Sequence, residues 1–203
     1  MLSSKRINTL VMKKIVLLVT IFISISAFAQ KTDNEGKQLT KFEEICDQNT
    51  GFIRFQDAKL PNLRSSSFGL QLETSVRVVF EGANRYYFYR ILKPETSTMN
   101  ARIAMIEYED LVRINRAIGI MSSAIDSDME KQPDYLVNKY RTKDGVEIGY
   151  YVERNFQAAR WEVTWFIKLE RYTDSVVLLR STKEVTEAFS GALAKMEELK
   201  AQQ

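Results

Sequence analysis

The sequence predicts an α+β fold made of two copies of an antiparallel ββββα unit. Two observations lead to this prediction. In both halves of the chain, apolar and polar residues alternate along short segments, which is the period of a strand with one buried face. Each run of such segments is followed by one whose apolar residues recur every three or four positions, as in an amphipathic helix. We therefore expect two sheets, or one long curved sheet, each covered by an amphipathic helix.

The first repeat spans residues 39–130 and opens with a short amphipathic helix at 39–47. Four strands are predicted next: 52–60, ended by Pro61; a strand carrying Val76, Val78 and Phe80; 85–93, entered through a Gly82-Ala83-Asn84 turn; and 102–107. A helix then places Leu111, Ile114, Ile118, Met121 and Ile125 on one stripe. We expect it to give way to a polar linker at 126–133, because Asp126, Asp128 and Glu130 read as a solvated connection.

The second repeat spans residues 131–203 and follows the same plan. Its strands are predicted at 135–141, 146–154, 161–169 and 176–180, and only Phe166 breaks the alternation of the third. Between the first two strands, Asp144-Gly145 tolerates the positive φ that a tight hairpin requires. Ser181 and Glu184 have the spacing of a capping box. The helix after them has Val185, Phe189, Ala192, Met196 and Leu199 on one stripe.

The N-terminal segment has the pattern of a cleavable secretory signal peptide. Lys13 and Lys14 follow Met12, an apolar run comes next, and Ala27 and Ala29 close it with the small residues that a signal peptidase requires. The run is about 15 residues long, whereas a stable membrane span needs about 20. We therefore expect residues 1–29 to be removed, with Met12 as an alternative translation start. Residues 30–203 would then form one globular domain, exported to the periplasm or the medium without a membrane anchor.

The net charge argues against nucleic acid as a partner, and the cysteine content excludes an intramolecular disulfide. Of 29 basic and 26 acidic residues, segment 1–29 contains four basic ones and no acidic one, so its removal changes the net charge from +3 to −1. A chain of that charge has no overall electrostatic attraction for nucleic acid, and we expect no nucleic-acid partner. The single cysteine, Cys46, has no partner for an intramolecular disulfide.

Four strands followed by a helix, twice over, resembles the topology of the whirly and PUR-type single-strand nucleic-acid binding proteins. Those families bind through basic residues and exposed aromatic side chains on the sheet. No motif residue here matches theirs, so no binding residue is carried over. The signal peptide and the single-cysteine composition are similar to those of many small exported proteins of Gram-negative bacteria.

The residue types present restrict the chemistry. The chain has no histidine, which removes the commonest general base and most zinc sites, and its eight glycines form no phosphate loop, dinucleotide fingerprint or nucleophile elbow. We expect no cofactor and no metal, and we assign no catalytic residue. Neighbouring carboxylates such as Glu107, Glu109 and Asp110 leave open a histidine-free hydrolase that uses paired carboxylates.

Aromatic residues concentrated on strands are the candidates for binding. Successive strand side chains point to opposite faces, so some of a run of four must lie away from the core of their own sheet. The candidates are Tyr86, Tyr87, Phe88 and Tyr89 in the first repeat and Tyr150, Tyr151 and Phe166 in the second. Rigid aromatic surfaces suit recognition of a protein or glycan. We therefore expect a non-catalytic binding or interaction domain, or alternatively a carrier of a small apolar ligand between sheet and helices.

Protein recovered from an exporting bacterial host should begin at Gln30, as read by intact mass and N-terminal sequencing. Replacing Ala29 with Leu should block processing, because the residue before the cleaved bond must be small. Phe28→Leu is the matched control, since that position has no such requirement. Recovery of the parent chain with Met1 or Met12 still attached would contradict the prediction.

Overall fold

A computed structural model of the chain describes residues 38–48, 52–66, 69–97, 100–173 and 175–202. The predicted signal peptide lies outside these ranges. The described ranges contain three α-helices and eight β-strands. The helices are α1 (Lys41–Gln48), α2 (Tyr108–Glu130) and α3 (Thr182–Ala201). The strands are β1 (Arg54–Arg64), β2 (Gln71–Glu81), β3 (Asn84–Lys93), β4 (Arg102–Glu107), β5 (Tyr135–Arg141), β6 (Glu147–Asn155), β7 (Arg160–Lys168) and β8 (Val176–Leu179).

The strands form two four-stranded antiparallel meanders, which confirms the predicted duplicated ββββα units. Sheet 1 has the order β1-β2-β3-β4 and sheet 2 the order β5-β6-β7-β8. The two sheets meet where the edge strands β1 and β8 come together: Ser65 forms an antiparallel bridge with Leu179, and the Ser66 N–H donates to the Leu178 carbonyl at 2.9 Å. The edge strands of the two sheets are thus joined by this bridge.

Each long helix packs mainly on the sheet of the other repeat. Helix α3, which follows sheet 2, lies on β1, β2 and β3, whereas α2, which follows sheet 1, lies on β5, β6 and β7 and also contacts β3 and β4. Phe189 of α3 meets Tyr89 of β3 edge to face, with ring centroids 5.4 Å apart. Both residues are fully buried. One continuous core therefore contains the inner faces of both sheets and the apolar stripes of α2 and α3.

The short helix α1 covers the other side of sheet 1. Ile45 is buried there in a second cluster with Val79, Phe88 and Met105, and Phe42 packs against the Phe88 ring at 5.5 Å. A reciprocal capping box starts the helix: the Glu43 N–H donates to Thr40 Oγ1, and the Thr40 N–H donates to Glu43 Oε2. None of the three helices in the described ranges has both the length and the hydropathy needed to cross a bilayer.

In the second repeat the predicted turn at Gly145 is confirmed, whereas the predicted capping box is only half formed. Gly145 has φ +90°, and a Cβ there would collide with Arg171, so the Asp-Gly turn requires glycine. Ser181 caps α3 by accepting the Glu184 N–H at 3.2 Å. The Glu184 carboxylate accepts from the Arg64 N–H instead of completing the box, which adds a contact between α3 and the end of β1.

One predicted boundary in sheet 1 was wrong, and the start of its second strand was not predicted. Strand β1 continues through Pro61 to Arg64 because the proline sits in a bulge on an edge strand, where two residues of β1 oppose one of β2 and no ladder donor is needed. Thr74 Oγ1 donates to the Pro61 carbonyl at 2.8 Å. Strand β2 begins at Gln71, ahead of the alternating valines, because its early residues pair with the end of β1.

The predicted linker at 126–133 was wrong as well, since α2 continues to Glu130. Asp128 is buried under sheet 2, where its Oδ2 accepts from Tyr150 Oη at 2.7 Å and from Asn138 Nδ2 at 2.6 Å. Lys131 Nζ donates to Oδ1 at 2.7 Å. These bonds join the C-terminal end of α2 to β5 and β6.

The Asp128 network should make stability depend on pH. Hydrogen bonds, first from Lys131 and then from Tyr150, lower the pKa of Asp128 below its usual 3.8. Because the folded-state pKa is the lower one, the stabilisation is present above the unfolded-state pKa and is lost as the pH falls through the folded-state value. At pH 7, Asp128→Asn should therefore lower the free energy of unfolding by about 1–3 kcal/mol, the cost of disturbing buried charge-assisted bonds.

Urea unfolding of the parent chain and of Asp128→Asn between pH 7 and pH 3 measures this effect. The difference between them should shrink as the pH falls below about 4. Asp126→Asn is the matched control, because Asp126 is exposed on the same helix. A pH-independent difference, or an equal loss in the control, would contradict this role for Asp128.

Candidate functional site

A cleft of about 260 Å³ lies where β3 runs past the end of β4. Strand pairing between them begins at Phe88 and Glu107, and the next residue, Tyr108, already belongs to α2. Residues 85–87 of β3 therefore have no β4 partner beside them, and the cleft follows this part of the strand. Its lining residues are Lys41, Ile45, Arg85, Tyr86, Tyr87, Phe88, Glu107, Tyr108, Glu109 and Lys200.

Three cationic side chains line the cleft, and they come from three different elements. Lys41 begins α1, Arg85 lies at the start of β3, and Lys200 lies in the last turn of α3. Lys200 Nζ lies 3.6 Å from the centroid of the Tyr108 ring, a cation–π contact across the mouth of the cleft. Lys41 Nζ forms an ion pair with Glu44 Oε2 at 3.4 Å. Among the described residues Arg85 forms no ion pair, and its guanidinium carbon lies 5.6 Å from the centroid of the Phe80 ring.

Tyrosine rings form the walls between these charges. Tyr86 is half-buried, and its hydroxyl donates to Glu81 Oε2 at 2.7 Å. The Tyr108 hydroxyl donates to Glu197 Oε1 at 3.3 Å. Partial burial raises the pKa of Tyr108, and the nearby Glu197 charge raises it further. Both rings are therefore held in place by hydrogen bonds at their outer ends, while Lys200 covers one face of Tyr108 and Tyr86 packs against the second cluster.

Carboxylates lie at the N-terminal end of α2, where Glu107 and Glu109 line the cleft. Burial raises the pKa of Glu107, and the charges of Asp110 and Glu109 raise it further. Burial likewise raises the pKa of Asp144, although its carboxylate accepts the Lys41 N–H at 3.0 Å. This bond ties α1 to the β5–β6 turn. No group of three or more potential ligand side chains among the described residues is arranged to hold a metal ion.

The structure separates the seven sequence-predicted residues into three groups. Tyr86, Tyr87 and Phe88 line the cleft, but Tyr87 is also buried in the shared core and Phe88 in the second cluster, so only Tyr86 is substantially exposed. Tyr89 and Tyr150 are fully buried in the shared core. Tyr151 and Phe166 lie on the side of sheet 2 that faces away from both long helices.

We call that surface the outer face of sheet 2; it comprises Tyr135, Val137, Tyr151, Thr164, Phe166, Val176 and Leu178. Three of its rings follow one another across β5, β6 and β7, with centroid distances of 6.0 Å (Tyr135 to Tyr151) and 6.4 Å (Tyr151 to Phe166). None of its members belongs to either core cluster in the described part of the chain. The corresponding surface of sheet 1 is covered by α1, so the two repeats differ here.

Sequence reasoning did not find the charged members of the cleft. Lys41, Arg85 and Lys200 are separated by more than 40 residues from one another and sit at the ends of elements, where a solvated lysine or arginine is ordinary. Glu107 and Glu109 were noticed only as neighbouring acids. The spacing of Thr40 and Glu43 is that of a capping box, so the sequence could have predicted that Lys41 begins a helix.

Comparison of the chain with protein-family models, with curated proteins and with solved structures finds no match.

Proposed function

We propose that this protein is an exported, non-catalytic binding domain whose ligand site is the cleft beside β3. The observation that carries the proposal is the convergence of Arg85, Lys200 and two tyrosine rings, from three elements distant in sequence, on one concave site. Concave sites with apolar walls and a few placed polar groups are where small ligands bind in proteins.

The chemistry of the lining favours a small anion with a flat or ring-shaped body. Arg85 and Lys200 can both donate to an acidic group, and neither is neutralised by an ion pair among the described residues. Tyr86 and Tyr108 line the cleft beside them, and aromatic rings suit contact with a planar group. The raised pKa of Glu107 reduces the negative charge of the opposite wall as the pH falls, which favours an anion there.

A carrier of an apolar ligand between sheet and helices would need space that the core side chains fill. Tyr89 packs against Phe189, and Tyr150 packs against Trp165 with ring centroids 5.4 Å apart. All four are at most 2% exposed. The cleft, which opens to solvent, therefore supports a binding function better than the interior does.

Titration with 8-anilinonaphthalene-1-sulfonate, a planar fluorescent anion, tests the proposal. The parent protein should bind the dye, and Arg85→Ala and Lys200→Ala should each weaken binding by about fivefold or more, since a charge-assisted contact contributes about 1–3 kcal/mol. Lys183→Ala, at the other end of α3, is the matched control and should bind as the parent does. Equal binding by all variants, or no binding by the parent, would contradict the proposal.

A further inference from the structure

Glu107 contributes to the cleft a carboxylate that has no partner in the described part of the chain. The residue is half-buried and lines the cleft, and its side chain forms neither an ion pair nor a hydrogen bond with any described residue. Carboxylates that are taken out of water are normally matched by donors or cations. An unmatched carboxylate that lines a cleft is therefore suited to receive a donor from a ligand.

The position of Glu107 in the fold explains why it stays unmatched. It is the N-cap residue of α2, with φ −67° and ψ 163°, yet its side chain caps no N–H group of the first turn. The preferred N-caps are the shorter side chains of Ser, Thr, Asp and Asn, which fold back onto those N–H groups. The start of α2 thus departs from the local rule, and the Glu107 carboxylate is left in the cleft, as is common at functional sites.

The charges nearest to Glu107 are mostly of its own sign. Burial raises its pKa, and Asp110, Glu109 and Asp144 raise it further. Lys41 lowers this pKa by the smallest amount, and its Nζ is ion-paired with a neighbouring carboxylate on α1. A cationic group brought next to Glu107 would therefore be attracted by several carboxylates at once.

The two cations of the cleft that lack ion pairs do not reach Glu107. Neither Arg85 nor Lys200 forms an ion pair within the described ranges. Glu107 pairs with Phe88, and Arg85 lies three residues further along β3, about 10 Å away along the strand. The long Arg85 side chain covers part of that backbone separation, so a small ligand is enough to span the rest. A ligand in contact with both sets of groups must carry charge of each sign.

We propose that the ligand of this cleft is a zwitterion, an α-amino acid with an aromatic side chain, and that Glu107 binds its ammonium group. Arg85 and Lys200 bind the carboxylate of the same ligand, so this proposal rests on the proposed function. Tyr86 and Tyr108 line the cleft and suit contact with the ligand ring. The volume of about 260 Å³ favours a molecule of this size, since sites for drug-sized ligands begin at about 300 Å³.

Three ligands that share one ring and one two-carbon link separate the two charged contacts. L-phenylalanine carries both charges, 3-phenylpropanoate lacks the ammonium group, and 2-phenylethylamine lacks the carboxylate. Amide chemical shifts of the parent protein at pH 7, followed by NMR up to about 10 mM ligand, give the three dissociation constants. Phenylalanine should bind about tenfold more tightly than either analogue, because each analogue loses one charge-assisted contact.

Glu107→Gln tests the residue itself. The amide keeps the size of the side chain but removes its charge, so phenylalanine should bind about tenfold more weakly than to the parent. Binding of 3-phenylpropanoate should be unchanged or tighter, since a negative charge has been removed from the cleft. Glu73→Gln is the matched control, because Glu73 is exposed on sheet 1 and does not line the cleft, and it should bind all three ligands as the parent does. Equal weakening of phenylalanine and 3-phenylpropanoate by Glu107→Gln would contradict the proposal.

The outcomes distinguish a failure of this proposal from a failure of the proposed function. If phenylalanine binds no more tightly than 3-phenylpropanoate, or if its preference survives Glu107→Gln, the zwitterion is wrong while the anion site stands. Binding of the anilinonaphthalene dye without binding of phenylalanine has the same meaning. If the parent binds neither the dye nor any of the three ligands, the proposed function is wrong and the zwitterion with it.

Discussion

The architecture depends on an exchange of helices between the two repeats. Sheet 1 buries its inner face under α3, and sheet 2 buries its inner face mainly under α2. Where the two helices touch, Asn115 of α2 donates to the Phe189 carbonyl of α3 at 3.1 Å, and the Phe189 ring reaches on to Tyr89 of β3. A sheet that is apolar on one face must bury that face against another element. Each repeat therefore depends on the other for its core.

The same exchange positions the surfaces on which a partner or ligand could bind. Because α3 returns across sheet 1, its last turn brings Lys200 onto the Tyr108 ring at the start of α2. The cleft lies where the last turn of α3 and the first turn of α2 meet residues 85–87 of β3, which have no β4 partner. The duplication also leaves an asymmetry, since α1 covers the outer side of sheet 1 and the described part of the chain supplies no equivalent for sheet 2. That difference is why the aromatic residues of the two repeats have different surroundings.

Much of the fold could be predicted from the sequence because its signals are local. The two periods of hydrophobicity locate six of the eight strands to within one residue at each end, as well as both long helices, and Gly145 marks the hairpin turn at which positive φ is needed. The errors arise where a distant contact overrides the local pattern. The local sequence predicts that a strand ends at Pro61, but pairing with β2 continues past it through a bulge. The local sequence likewise predicts a linker at Asp128, but this residue is in a helix and its carboxylate accepts a hydrogen bond from Tyr150 of β6. The charged residues of the cleft are brought together only by tertiary structure, so no local sequence pattern predicts that Lys200 lines it.

Native-state hydrogen exchange in Phe189→Ala tests the shared core most directly. Removing this buried ring should lower the free energy of global unfolding by about 3–5 kcal/mol. If the repeats share one core, the amides of Tyr150 and Val152 in sheet 2 should lose as much protection as those of Tyr89 and Ile91 in sheet 1, because both sheets then open in one cooperative step. A loss confined to sheet 1, with the sheet 2 amides protected as in the parent chain, would contradict the account.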